Sequence, residues 1–176
     1  LHLDHPYGKE PLPLLEAMGA QHGFEVLPIP VGLSEMQNQS AQWLQIRRER
    51  PDFVIMWGWG VMNQVAIQEA ANINFPMENF IGTWWSGAEH DVTPAGAAAN
   101  GYKSLNMNTI ADFPVLDEIR TQVIDAGNGA GDGSNVGKVL YVRGMYAAML
   151  AAEAIAKAQE AEHGFLHTAI IHSNLL

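Results

Sequence analysis

Short apolar runs alternate along this chain with segments whose apolar residues recur at three- and four-residue spacing. Leu1–Leu3 reads as the end of a buried strand, and "DHPYG" as a turn in which Pro6 sets φ. A helix to about His22 follows, with Leu14, Leu15 and Met18 on one face and Gly23 as its stop. Pro11 and Pro13 must then lie in or before its first turn. "FEVLPIPV" predicts a second strand, placed at an edge by its prolines. Ser40 is a suitable cap for a helix carrying Trp43, Leu44 and Ile46, which Pro51 ends. "DFVIMW" is a nearly continuous apolar run of strand length, as expected of a parallel strand covered on both faces.

The alternation continues with a helix in "VMNQVAIQEAANIN", a strand in "NFIGTW" and a further strand in "NGYKSLNMN". "FPVLDEIRTQVIDAG" predicts a helix with Val115, Ile119 and Val123 on one face, closed by Gly127. A glycine-rich loop, "GNGAGDGSN", leads to a long Ala-rich helix in "VGKVLYVRGMYAAMLAAEAIAKAQEAE". The tail "HGFLHTAIIHSNLL" has no clear pattern. Strands alternating with helices predict an α/β fold, layered helix–sheet–helix about a mainly parallel sheet. Ligands bind such sheets beyond the carboxyl ends of the strands. Four of the five tryptophans fall at such ends, in "VIMWGWG" and "FIGTWWSG". Extended backbone turns neighbouring side chains to opposite faces. We therefore assign one tryptophan of each pair to a cleft and the other to packing, with Trp59 on the cleft side and Trp57 inside.

Composition narrows the function. The chain has 176 residues, 48% of them hydrophobic and 16% charged, which suits a globular domain with its own core. A net charge of −10 argues against a nucleic-acid or anionic-membrane partner, either of which needs a basic patch. The one basic cluster, "RRER", reads as a solvated helix end. Cysteine is absent, so no disulfide frame or thiolate chemistry is available. No apolar run approaches the roughly 20 residues of a membrane span. The chain opens directly on a strand-like segment, and we expect it to be part of a longer protein.

Candidate chemistry is sparse. The glycine-rich loop follows a helix, and Val139 stands where a phosphate cradle needs Ser or Thr after Lys138. Glu89, His90 and Asp91 are metal-capable, but consecutive loop residues rarely converge on one ion, and no metal or cofactor is expected. Asp4 and His5 make a conceivable acid–base pair without a nucleophile or orienting third group, so no catalytic residue is assigned.

The order of these pieces resembles the second, carboxyl-proximal lobe of type I periplasmic solute-binding proteins. The branched-chain amino acid (Leu/Ile/Val) receptors of ABC transporters are the nearest branch. The resemblance rests on a strand ending in a "D-x-x-Y-G" turn, then "G-x-E-V", "P-D-x-V", an aromatic–Gly turn and "F-I-G". "GYKSLNMN" and "YVRGMYAAMLAAEAI" match the following strand and long helix, so that it covers about residues 1–160, with 161–176 as a tail. It implies two α/β lobes closing on a small molecule, an amino-terminal lobe not included here, a periplasmic location and delivery to an ABC permease. It also places Tyr7, Trp59, Trp84 and Tyr141 at the cleft. Trp84 stands where amino-acid receptors carry an acidic residue for the ligand's ammonium, with Glu89, a few residues on, as the candidate substitute. A buried ammonium needs a carboxylate, so an aromatic or aliphatic carboxylate or a neutral amide fits better than an ordinary amino acid, and a cation–π cage for a quaternary ammonium is the further option. A lone lobe would expose aromatic surface and is expected to self-associate. Two alternatives remain from other classes: a ligand-sensing regulatory domain on the same fold, and a small flavodoxin-like α/β enzyme.

Overall fold

The computed structural model describes residues 1–161 except Thr109 and Ala111. The expected tail, beyond its first residue, lies outside the described residues. The chain divides into two compact units, Leu1–Met107 and a second beginning at Asn108.

The first unit carries five short strands: β1 (His2–Leu3), β2 (Pro30–Val31), β3 (Val54–Met56), β4 (Phe80–Thr83) and β5 (Lys103–Leu105). All pairings are parallel: β1 with β2, β3 with β4, and β4 with β5. A parallel bridge from His2 to Trp57 joins the two groups. There the Leu3 N–H donates to the Trp57 carbonyl and the Trp57 N–H to the Leu1 carbonyl, each at 3.0 Å. The strand order is therefore β2–β1–β3–β4–β5, and it reverses between β1 and β3. Between the strands run α1 (Pro6–Lys9), α2 (Leu12–His22), α3 (Ser40–Glu49), α4 (Val61–Asn72) and α5 (Glu89–Val92). This is the mixed α/β fold expected from the alternating pattern.

The core forms where the apolar runs meet the helices. Leu3, Val31, Met56, Ile67 and Phe80 are buried around Trp43. The Trp43 ring meets Phe80 edge-on at 5.3 Å and Phe75 at 6.2 Å. Edge-to-face geometry sets the positive rim of one ring on the negative face of the next.

Several local expectations change. The strand foreseen over "FEVLPIPV" shrinks to Pro30–Val31, because proline lacks the donor that a ladder needs. It does lie at the edge. Leu14 and Met18 of α2 are exposed, and the buried residue of that helix is Gly19. A β-carbon at Gly19 would come within 2.6 Å of the Phe24 carbonyl, so the helix meets the returning chain by backbone approach instead of by its larger side chains. Ser40 is the first residue of α3, not its cap; that position is held by Gln39. In β3, Val54 and Met56 are buried while Ile55 remains 39% exposed, so the run is fully covered on one face only. All of β5 is exposed.

In the second unit, α6 (Pro114–Ile119) passes into a π-helical turn over Arg120–Ile124, and Gly127 follows with φ of 72°. Leu116 is the buried residue of α6, displacing the expected stripe of Val115, Ile119 and Val123. The glycine-rich segment is a loop, and α7 (Val139–Ala161) is the long helix. The Asn108 side chain braces its start, donating to the Val139 carbonyl at 3.1 Å and accepting from Arg143 Nε at 3.2 Å. Contrary to the sequence expectation, Val139–Gln159 is long and apolar enough to cross a membrane by length and composition. Val139, Leu140, Val142, Leu150 and Ile155 supply most of its apolarity, and little of the helix is buried among the described residues.

Candidate ligand-binding site

In a parallel sheet of order β2–β1–β3–β4–β5, the connections leaving β1 and β3 diverge to opposite sides and open a crevice at their carboxyl ends. Tyr7 follows β1, and Trp57 and Trp59 follow β3. They meet at this point. The Tyr7 and Trp59 rings stack with centroids 5.2 Å apart and planes 23° from parallel. His5 meets Trp59 edge-on at 5.0 Å, and Trp57 lies 6.2 Å from Tyr7.

Local sequence puts Tyr7 there. The imidazole Nδ1 of His5 accepts the Tyr7 N–H at 3.3 Å and caps α1, and Pro6 occupies the first helical position. Gly8 lies against the backbone of Leu3, where any β-carbon would overlap it. The turn therefore folds tightly back on β1 and carries Tyr7 to the strand end.

Trp57 and Trp59 stand two residues apart, and both flank Tyr7. The expected division into an inner and an outer member corresponds to neighbouring residues, not to this pair. Trp57 and Trp59 are both half-buried. The Trp57 indole N–H is buried without a hydrogen-bond acceptor among the described residues.

The second aromatic turn leaves β4. Trp84 begins a 3₁₀ turn, Trp84–Ser86, with φ of 55°. A left-handed backbone at a bulky residue costs on the order of 1–2 kcal/mol, so the surroundings must hold it. The two indoles pack edge-to-face at 6.1 Å; Trp84 is half-buried and Trp85 is 42% exposed. Tyr141 lies in the second unit, on the first turn of α7, half-buried.

A buried polar cluster that sequence reasoning missed supports both turns. Ser86 Oγ accepts the Gly58 N–H at 3.2 Å and shares its own proton between the Gly58 carbonyl at 3.0 Å and Asn63 Oδ1 at 3.1 Å. Asn63 Nδ2 donates to the Trp85 carbonyl at 2.8 Å and approaches Asp91 Oδ1 at 3.4 Å. Asp91 Oδ2 accepts the Ala88 N–H at 3.1 Å. The Tyr102 hydroxyl donates to the Ser86 carbonyl at 2.6 Å, and Asn106 Nδ2 to the Gly87 carbonyl at 3.1 Å. Thr83 Oγ1 donates across to the Met56 carbonyl at 2.9 Å. The one available signal was Asn63, a polar residue on the face of α4 that otherwise buries Met62, Ala66, Ile67 and Ala70.

Asp91 is fully buried, and burial raises its carboxyl above the usual range; the Ala88 N–H, His90 and Asn63 oppose the rise. His90, half-exposed, places Nε2 3.3 Å from Asp91 Oδ1. Burial, and then Asp91, raise the Tyr102 phenol. Of the three consecutive metal-capable residues, Asp91 thus points inward to backbone and amide partners while His90 stays at the surface.

Aromatic turns at the strand ends of a parallel α/β lobe occupy the place where ligand sites form in such sheets. A family model described as periplasmic binding protein matches residues 1–169, and the chain belongs to that family. Among solved structures, the chain is similar to one titled the crystal structure of an ABC transporter permease from the Pseudomonas fluorescens group, at 38% identity and a TM-score of 0.78. The match covers 91% of this chain and 39% of that one, so the chain spans about two fifths of that protein's length. No curated protein matches the chain.

Proposed function

We propose that this chain is the carboxyl-proximal, ligand-binding lobe of an extracytoplasmic solute receptor that feeds an ABC importer. The observation that carries the proposal is the stacked Tyr7–Trp59 pair at the β1/β3 switch point. Membership of the periplasmic binding protein family and the ABC-transporter title of the similar structure support it. The role is binding, not turnover. A second lobe would close over the strand ends, and ligand contacts to both lobes would stabilise the closed state.

In this reading Trp59 and Trp84 offer aromatic surface to the ligand, Tyr7 braces Trp59, and Tyr141 contributes on the strength of the family resemblance. Trp84 cannot neutralise an ammonium, and Asp91 is committed to Ala88 and Asn63. The favoured ligand is an aromatic or aliphatic carboxylate or an amide, ahead of a branched-chain amino acid.

The test is a thermal-shift screen of the full-length protein against L-leucine, L-phenylalanine, benzoate, benzamide and choline. A ligand bound by the folded state alone must raise the midpoint. We expect benzoate or benzamide to raise it most, and Trp59→Ala and Trp84→Ala to remove that rise. Unchanged affinity in both variants would overturn the site assignment.

A further inference from the structure

We infer that Ser86 is a positioning residue that locks the two tryptophan-bearing turns into one unit, so that neither can move without the other. The inference deepens the receptor reading and rests on it for its bearing on ligand binding. The geometry itself is independent of any ligand.

The turns leave different strands, β3 and β4, and Gly58 lies between Trp57 and Trp59 in the first of them. Both backbone polar groups of Gly58 are within reach of one side-chain atom, Ser86 Oγ: the N–H at 3.2 Å and the carbonyl at 3.0 Å. Ser86 itself ends the 3₁₀ turn that begins with Trp84. A single fully buried hydroxyl therefore stands between the midpoint of one aromatic turn and the end of the other.

The rest of the cluster makes this joint rigid. Asn63 holds the Ser86 hydroxyl with its oxygen and the Trp85 carbonyl with its nitrogen, which defines its amide orientation. Tyr102 holds the Ser86 carbonyl. The turn is gripped on both sides through its backbone, while the indole of Trp85 stays largely at the surface. This grip also accounts for the left-handed Trp84: the strained backbone persists because the polar groups around it are already committed. An aromatic surface divided over two turns gives a ligand defined stacking geometry only if the turns keep a common register, since freezing a mobile partner reduces affinity.

Fluorine NMR of the chain labelled with fluorotryptophan tests the coupling, with lines assigned by single Trp→Phe substitutions. Ser86→Ala should move or broaden the Trp57 and Trp59 lines together with those of Trp84 and Trp85. The line of Trp43, in the core, should stay in place, and Ser86→Thr, which keeps a hydroxyl, should return the others toward their wild-type positions. A response confined to Trp84 and Trp85, or the absence of rescue by threonine, overturns the inference. Should Ser86→Ala fail to fold, amide exchange of the wild type decides. The Gly58 N–H should then be as protected as the amides of β4, and exchange at the rate of an exposed loop overturns the proposal. The receptor reading fails separately, if neither benzoate nor L-leucine raises the midpoint of the full-length wild type, a result that leaves the fluorine outcome standing.

Discussion

Replacing Gly82 by alanine probes the joint between β4 and the aromatic turns through one methyl group. A β-carbon at Gly82 would overlap the Tyr102 hydroxyl and the Ser86 carbonyl, and would lie 2.8 Å from Tyr102 Cζ. These are the two groups joined by the 2.6 Å hydrogen bond. The Tyr102 ring cannot simply retreat, because it packs edge-on against the buried Phe80 at 5.0 Å. Losing the hydrogen bond and leaving a part-buried carbonyl unpaired costs about 1–3 kcal/mol. Forcing a methyl group into a filled site costs a further ~1–3 kcal/mol. The expected total is roughly 2–6 kcal/mol, a large share of the ~5–15 kcal/mol that holds a typical domain. Urea unfolding followed by circular dichroism should show a lower midpoint with an unchanged slope. Tyr102→Phe removes one of the overlapping atoms and has already lost the bond. The double variant should therefore be less destabilised than the sum of the single ones, by on the order of 0.5–3 kcal/mol. A Gly82→Ala cost within about 0.5 kcal/mol of zero, the range of an unremarkable surface change, would refute this reasoning. So would strict additivity.

Trp43→Ala should destabilise by about 3–5 kcal/mol, since it empties the fully buried site between Phe75 and Phe80; a denaturant midpoint near wild type would show that the core closes the space. Asp91 takes up its proton more readily in the folded state than in the unfolded chain, because burial raises its carboxyl. Its contribution is therefore complete below the ordinary value near pH 4 and is lost as pH rises through the higher folded value. Asp91→Asn should flatten this decline in melting temperature above about pH 4, and a decline of unchanged slope in the variant would assign it to other groups. Tyr146, Met149 and Leu150 continue the face on which α7 buries Val139 and Val142, yet all three are exposed. Sedimentation of this chain should show concentration-dependent association that Leu150→Glu weakens; a strict monomer at high concentration would contradict it.

The α/β class was legible because periodicity is a local property. The apolar runs at Val54–Met56 and Phe80–Thr83 became neighbouring parallel strands, and the segments between them became helices. Breaks at Gly23 and Pro51 were legible for the same reason: their backbone limits need no partner. Tryptophans at strand ends could be seen, and with them the general place of a site. Strand lengths were legible only in part: its own prolines shorten β2, whereas the extent of β5 is set by its pairing with β4.

What only the tertiary structure decided is which turns meet. Strand order brings Tyr7 to Trp59 across a separation in sequence that no local pattern encodes. Apart from Asn63 on the buried face of α4, the cluster with Ser86, Asp91 and Tyr102 was invisible for the same reason. Serine and asparagine in a helix or turn read as solvated unless the fold buries them, and burial is set by neighbours far along the chain. Once buried, each polar atom must find a partner or destabilise the fold. That requirement, imposed by packing, turned Ser86 from an ordinary turn residue into the link between the two aromatic turns.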